Sequence, residues 1–285
     1  MNILLLYKNS TYAGYFLSDR RRLAQLEGLV NSEQIKRFRS THENHFWSLS
    51  YVETVLKNRK LKFTKACRGS SLDYSRYDLI ITVGGDGTFL EAARHVKDEI
   101  VWGVNSDPVW SVGRFCSGNP QNFEALLDKI LAGQATVKKI NRLSLSFSDD
   151  TQSMNVLNDI LICHHNPAAM SRYYITVGRI KEEQRSSGVW IATAAGSSGG
   201  LRSAGGKVLP QDDKEFQYKP RELYYGKKIR YQLTGGILKP NQKISLTSLM
   251  LEGVVFVDGS HVCLPFSFGS KIFVSRSPNP LRIIL

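Results

Sequence analysis

The hydrophobic pattern changes character once, near Gly133, and that change limits the possible folds more than any other feature of the chain. Before it, apolar runs of strand length alternate with stretches of helical periodicity. Ile3-Leu4-Leu5-Leu6-Tyr7 reads as a short buried strand. Ser40 and Glu43 have capping-box spacing. His45, Leu49, Val52 and Leu56 then recur at helical intervals, which predicts a helix over 41–57. Leu61–Thr64, Asp78–Val83 and Glu99–Val104 read as strands, and Glu91–Val96 as helix. Asn119-Pro120 predicts a helix start, Phe123, Leu126, Leu127, Ile130 and Leu131 its apolar face, and Gly133 its stop. Strand–helix alternation of this kind builds an open α/β sheet with mostly parallel strands.

Beyond Gly133 helical periodicity fades. Strand-like runs follow at 140–147, 155–163, 173–177, 189–193, 229–233, 243–249, 254–257 and 271–274, separated by turns rich in Gly, Asp, Asn, Ser and Pro. This is the texture of an all-β, sandwich-like domain. We therefore expect an α/β domain over 1–135 and a β-rich domain over 136–269, with the tail from about 270 to 285 free to return to the first. The segment Lys8–Arg39 is polar and basic, and its middle, Leu23 to Val30, has the makings of a short helix or a loop.

The net charge of +13 favours anionic partners in general. Its tightest clusters are Arg20-Arg21-Arg22 and Lys227-Lys228 with Arg230. No zinc-finger, basic-helix or aromatic RNA-binding pattern accompanies them, so nucleic acid is not expected as a partner. Cys67, Cys116, Cys163 and Cys263 are scattered, without a CxxC pair, and read as reduced thiols. His42/His45 and His164/His165 lack companion ligands, so no metal site built from protein side chains is expected. No apolar run reaches membrane-spanning length and no leader pattern stands at Met1, so the expectation is a cytoplasmic protein without membrane association.

The segment Thr82-Val83-Gly84-Gly85-Asp86-Gly87-Thr88-Phe89-Leu90 carries the chemistry. Its context is strand, glycine loop, helix. Glycines let backbone N–H groups approach an anion closely, and a helix N-terminus aimed at the same place favours phosphate. It is neither a Walker loop nor a GxGxxG fingerprint. A carboxylate repels phosphate, so Asp86 inside such a loop points to work on the phosphoryl acceptor or a metal; the alternative is a tight turn whose Asp caps the next helix.

Gly84-Gly85-Asp86-Gly87-Thr88 resembles the GGDGT motif of NAD kinases and of the related diacylglycerol and sphingosine kinases. Asn158-Asp159 resembles the Asn-Glu/Asp pair of the NAD kinases, Gly196-Ser197-Ser198-Gly199-Gly200 with Ser203-Ala204-Gly205-Gly206 resembles their TGSTAY…SAGG run, and Asp258-Gly259 their late Asp-Gly turn. The motifs stand in family order across nearly the whole chain. Two positions depart from the pattern: Gly200 stands where most members have Tyr, and Ser187 where many have Asp. The loop from Gly103 through Asn105 to Gly113 looks more like the divergent branch that includes the mitochondrial enzymes.

The resemblance implies phosphoryl transfer from ATP to the 2′-hydroxyl of the adenosine ribose of NAD, giving NADP. Asp86 would be catalytic. Gly84, Gly85, Gly87 and Thr88 would bind ATP phosphates, and Asn158, Asp159, Ser198, Gly199 and Ser203 would bind NAD. Asn105 and Asp258 are lesser candidates. Mg²⁺ would accompany ATP, held mainly by phosphate and water, and the assembly would be a homodimer or a higher homo-oligomer. A lipid kinase of the same superfamily and a catalytically silent nucleotide-binding protein are the rival readings.

Overall fold

The computed structural model describes residues 1–14, 32–148, 153–226 and 230–285. It divides into two compact units: residues 1–138 with 282–285, and residues 139–281. The Leu23–Val30 segment and the clusters Arg20-Arg21-Arg22 and Lys227-Lys228 lie outside the described residues.

In the first unit, β1 (Ile3–Tyr7), β2 (Phe63–Cys67), β3 (Leu79–Gly84), β4 (Ile100–Asn105), β5 (Cys116–Gly118) and β6 (Val137–Ile140) form one sheet. It is completed by a strand from the chain's end, β19 (Leu281–Ile284), in the order β2-β1-β3-β4-β19-β6, with β5 also paired to β4. The pairs β1–β2, β1–β3, β3–β4, β4–β19 and β4–β5 are all parallel. Parallel strands are covered on both faces, which is why Ile3, Leu4, Leu5 and Leu6 are all fully buried rather than alternating. Helix α1 (Ser32–Asn58) contributes Leu49, Val52, Val55 and Leu56 to the core on one face, beside Phe123 and Leu127 of α3 (Phe123–Leu131). Helix α2 (Asp86–His95) buries Phe89, Leu90, Ala92 and Ala93.

Several boundaries correct the sequence reading. Helix α1 begins by Ser32, not Thr41, and runs straight through Ser40 and Glu43. Residues 33–39 are mostly Glu, Gln, Lys and Arg, good helix formers that leave no reason to start at Ser40. The strand expected at 61–64 is shifted to Phe63–Cys67. Helix α2 starts five residues before Glu91, at Asp86. The helix expected from Asn119-Pro120 starts at Phe123, because Asn119 Oδ1 accepts the N–H groups of Gln121 and Asn122 and makes a turn instead. Gly133 ends it at φ 69°, with Gln134 N–H bonded back to Lys129 O at 2.8 Å.

The second unit is a sandwich of two six-stranded sheets. Its strands are β7 (Leu143–Phe147), β8 (Ser153–Val156), β9 (Asp159–His164), β10 (Ser171–Val177), β11 (Ile180–Ser186), β12 (Val189–Thr193), β13 (Phe216–Pro220), β14 (Gly236–Leu238), β15 (Lys243–Ser248), β16 (Gly253–Val257), β17 (Val262–Pro265) and β18 (Lys271–Arg276). One sheet has the order β11-β10-β15-β18-β7-β8 and the other β14-β13-β12-β9-β16-β17. Alternate residues from both, such as Ile160, Ile162, Ile191 and Val255 from one and Tyr173, Ile175, Leu246 and Val274 from the other, fill the core between them. The run 155–163 is broken into β8 and β9 at Leu157-Asn158, and residues 230–233 are not a strand. Strand β11 escaped notice because Lys181, Glu182, Glu183 and Arg185 make it read as loop; charge of this kind belongs on a sheet edge.

Candidate active site

Strand order places the crevice of the first unit. From β1 the chain leads to β2 on one side, while β3 lies on the other. In such sheets the loops leaving the C-terminal ends of neighbouring strands part there and leave a crevice that takes ligands. Lys8 follows β1 and Gly84-Gly85 close β3 at that point.

The glycine run is tighter than a loop. Gly84 is the last strand residue, Gly85 the helix N-cap, and Asp86, Gly87 and Thr88 the first helical turn. Helix α2 has no side-chain cap, so N–H groups of its first turn stay available to an anion. Asp86 therefore does not cap the helix. Its Oδ1 accepts the N–H of Phe115 at 2.9 Å, and no hydrogen bond engages Oδ2 among the described residues. Space is tight at the first two glycines: a Cβ on Gly84 would lie 3.0 Å from Thr88 Cβ and one on Gly85 2.6 Å from Ser111 Oγ, while one on Gly87 would come 3.1 Å from Arg68 Nη1, the movable end of a long side chain.

Thr88 is buried, and its Oγ1 has no hydrogen-bond partner among the described residues. A buried orphan hydroxyl costs stability unless a ligand meets it. Two cations stand beside it. Arg68 reaches over Gly87, and Lys8 passes 3.6 Å from where a Gly84 Cβ would be. Burial lowers the pKa of Lys8, opposed by Asp107 and reinforced by Arg68. Burial likewise lowers that of Arg68, opposed by Glu91. Two half-buried cations held close together are stabilised by any anion that enters. Sequence reading passed over both, although each is the basic residue next after a buried or half-buried strand.

Behind them His45 is fully buried, its Nε2 2.8 Å from Lys8 O and its Nδ1 2.9 Å from Ser106 Oγ. A carbonyl only accepts, so Nε2 carries the proton and Nδ1 accepts from Ser106. Burial pushes the imidazole down to about 4, which keeps it neutral and fixes the backbone at Lys8. Asn105 shapes the neighbouring loop, donating to Ser111 O at 2.9 Å and accepting from Asp107 N–H at 3.1 Å. Burial first, then the Asp86 charge, push the Cys116 thiol up to about 12, which leaves it unreactive.

In the second unit, Asn158 and Asp159 stand where β9 begins. Asp258 organises them. Its carboxylate accepts the N–H groups of Asn158 at 2.6 Å and Leu157 at 3.3 Å, and its own N–H donates to Asp159 O at 2.9 Å. Asp258 and Gly259, at φ 51° and 98°, also turn the chain between β16 and β17. The hairpin and the functional readings of this pair thus describe the same turn. Asn158 Nδ2 donates to Asp159 Oδ2 at 3.4 Å. Asp159 is 5% exposed, and burial, then the Asp258 charge, push its carboxyl up to about 7.

The glycine-rich run packs on this pair. A Cβ on Gly196 would lie 2.5 Å from the Asn158 carbonyl carbon, and one on Gly199 3.7 Å from Asp159 Oδ2. Thr193 ties the two segments, donating from Oγ1 to Leu157 O at 2.6 Å and accepting from Gly196 N–H at 2.9 Å. Ser198 is half-buried and Ser203 exposed, the latter ending the short helix α4 (Gly200–Ser203); no side-chain hydrogen bond engages either among the described residues. A Cβ on Gly200 would meet the indole of Trp190 at 2.7 Å. Trp190 fills the space a larger residue at 200 would need.

Residues 30–135 match the family profile described as the ATP-NAD kinase N-terminal domain. The chain is 32% identical over 264 residues to a probable NADH kinase of Oryza sativa subsp. japonica, spanning 85% of this chain and 81% of the relative. The chain belongs to the NAD kinase family. An NADH kinase of Arabidopsis thaliana is 31% identical over 92% of this chain and 90% of its own. Among solved structures, an NAD kinase from Archaeoglobus fulgidus in complex with ATP superposes with TM-score 0.70 at 22% identity, covering 100% of this chain and 94% of the other. Yeast NADH kinase complexed with NADH gives 0.68 at 16% identity, covering 100% and 83%. These two likenesses show the NAD kinase fold. No helix among the described residues is long and apolar enough to cross a membrane.

Proposed function

We propose that this chain transfers the γ-phosphoryl group of ATP to the 2′-hydroxyl of the adenosine ribose of NAD, giving NADP. The observation that carries the reading is the first turn of α2, where a carboxylate with one unengaged oxygen, an orphan hydroxyl and open N–H groups adjoin Lys8 and Arg68. Phosphoryl transfer needs positioning and charge stabilisation more than covalent chemistry. The N–H groups and the two cations hold the donor phosphates. Asp86 Oδ2 accepts the proton of the attacking hydroxyl. Asn158 and Asp159 grip the adenosine, a carboxylate being a good acceptor for ribose hydroxyls. Asp258 positions both through the backbone.

Magnesium belongs to the proposal. No group of three or more His, Cys, Asp or Glu among the described residues forms a cage for it. The unsatisfied Thr88 Oγ1 fits an ion held chiefly through the nucleotide, and Thr88 is the residue that would touch its shell. The ion, when bound with ATP, supplies charge neutralisation on the phosphates. The family resemblance adds a homodimer or larger homo-oligomer to the reading.

The names of the plant relatives put NADH beside NAD as acceptor. A coupled assay with ATP, Mg²⁺ and either dinucleotide measures both. Asp86→Asn should retain dinucleotide binding and lose about 10²–10⁴-fold in kcat. Turnover at the wild-type rate would remove Asp86 from its role, and activity on a lipid alcohol alone would replace the reading.

A further inference from the structure

Helix α2 buries an acid that the proposed reaction does not use. Glu91 is 9% exposed and lies one turn beyond Gly87 on the same face of the helix. Its Oε2 accepts from Arg94 Nη2 at 2.7 Å, and both side chains of that ion pair are mostly buried. Its Oε1 accepts the backbone N–H of Gly69 at 3.2 Å. A buried ion pair by itself adds little to stability, because desolvation offsets the attraction. The bond to a backbone N–H 22 positions away is the informative one.

Gly69 follows Arg68, and the backbone on both sides of Arg68 is fixed. The Arg68 N–H donates to Tyr7 O at 2.7 Å, which ties it to β1. Ser70 N–H donates to Cys67 O at 3.2 Å and closes a turn with Arg68 and Gly69 at its corners. Gly69 has φ 85°, the left-handed conformation that favours glycine at the third position of a turn. The turn's own bond uses the N–H of Ser70, so that of Gly69 needs a partner from elsewhere. Glu91 supplies it. The peptide between Arg68 and Gly69 is thereby held in one orientation, which sets the direction in which the Arg68 side chain leaves the backbone. That direction carries the guanidinium over Gly87, with Nη1 3.1 Å from where a Cβ there would be. Consecutive residues 68 and 69 thus meet helix positions one turn apart.

We infer that Glu91 is a positioning residue, gripping the Gly69 N–H so that Arg68 stays over the first turn of α2, where the donor phosphates bind. The inference deepens the proposed function and rests on its assignment of the phosphates to that turn. Glu91 acts through Arg68 and leaves proton transfer to Asp86. A loop that must be ordered when phosphate arrives costs binding free energy, and a loop ordered in advance does not. The effect therefore belongs to phosphate affinity.

Two paired substitutions isolate the grip. Glu91→Leu with Arg94→Leu and Glu91→Gln with Arg94→Leu both remove the ion pair and its charges, and only the second keeps an acceptor for Gly69. Calorimetric titration of the full chain with ATP and with tripolyphosphate reads phosphate binding. Hydrogen exchange, followed by mass spectrometry over peptides spanning 67–70, reads the Gly69 amide. Arg68→Ala sets the scale and should weaken both ligands by about 10- to 150-fold, the value of a hydrogen bond to a charged group. The leucine pair should fall between Arg68→Ala and the wild type, with faster exchange at Gly69. The glutamine pair should match the wild type to within about twofold, the scatter of independent substitutions. Added to Arg68→Ala, the leucine pair should cost nothing beyond that scatter. Equal binding by the two pairs would overturn the inference. So would a loss by the leucine pair that persists in full beside Arg68→Ala, since that marks general damage to α2. A Gly69 amide that exchanges freely in the wild type would overturn it without any variant. Failure of the wild type to bind either ligand would instead strike at the proposed function, and hydrogen exchange would still judge the grip.

Discussion

At the scale of single residues, two buried polar side chains carry a cost in the unliganded protein. Thr88 keeps a hydroxyl in the interior without a partner among the described residues. Replacing it with the near-isosteric valine removes the unsatisfied group, so Thr88→Val should melt no lower than wild type. The same substitution should raise the KM for ATP about 10- to 150-fold, the value of one hydrogen bond to a charged group. Steady-state kinetics and a thermal melt on one preparation check both halves. Asp159 is the second case. Its carboxyl is ionised near pH 4 in the unfolded chain but only near 7 when folded. Between those values the folded protein holds a proton the unfolded chain has released, so stability falls as pH rises through that window. Binding runs the other way, because ribose hydroxyls donate to the ionised form. Dinucleotide affinity should therefore increase from about pH 6 to pH 8. Asp159→Asn should flatten both trends, read from Tm against pH and from Kd against pH.

At the scale of elements, the contact between the glycine-rich turn and the start of β9 leaves no room for a methyl group. A Cβ at position 196 would press on backbone atoms of Asn158, which cannot swing aside as a side-chain end can. Gly196→Ala should cost at least about 1–3 kcal/mol, the usual range for overpacking, and should raise the dinucleotide KM by displacing Asn158. Gly200 makes a different contact, against the indole of Trp190. Gly200→Ala should destabilise in the wild type and much less in a Trp190→Ala background. A double-mutant cycle on denaturant unfolding measures that coupling. The motif letters of this run were readable in the sequence, as were the strands that flank it. What they press against was not, since Asn158 and Trp190 reach Gly196 and Gly200 through sheet pairing.

At the scale of the molecule, the last strand completes the sheet of the first unit. Leu281, Ile283 and Ile284 are buried, β19 pairs parallel with β4, and Ser117 Oγ bonds Ile284 O at 2.8 Å. Burying each such side chain contributes about 1.5–3 kcal/mol. That is a large share of the roughly 5–15 kcal/mol that holds a domain folded. A chain cut after Asn279 should thus lose the first unit before the second. Limited proteolysis followed by mass spectrometry should find early cleavage within 1–138 and a protected 139–279 fragment. The sequence alone determined the α/β-then-β order, the glycine turn with its carboxylate and the polar pair opening β9, because each is written in neighbouring residues through periodicity or motif. Only the tertiary structure brought Lys8 and Arg68 to that turn, gave Asp258 its hold on Asn158, and set Glu91 against Gly69. Those relations join residues tens of positions apart, and strand order and register decide them; no local pattern records either.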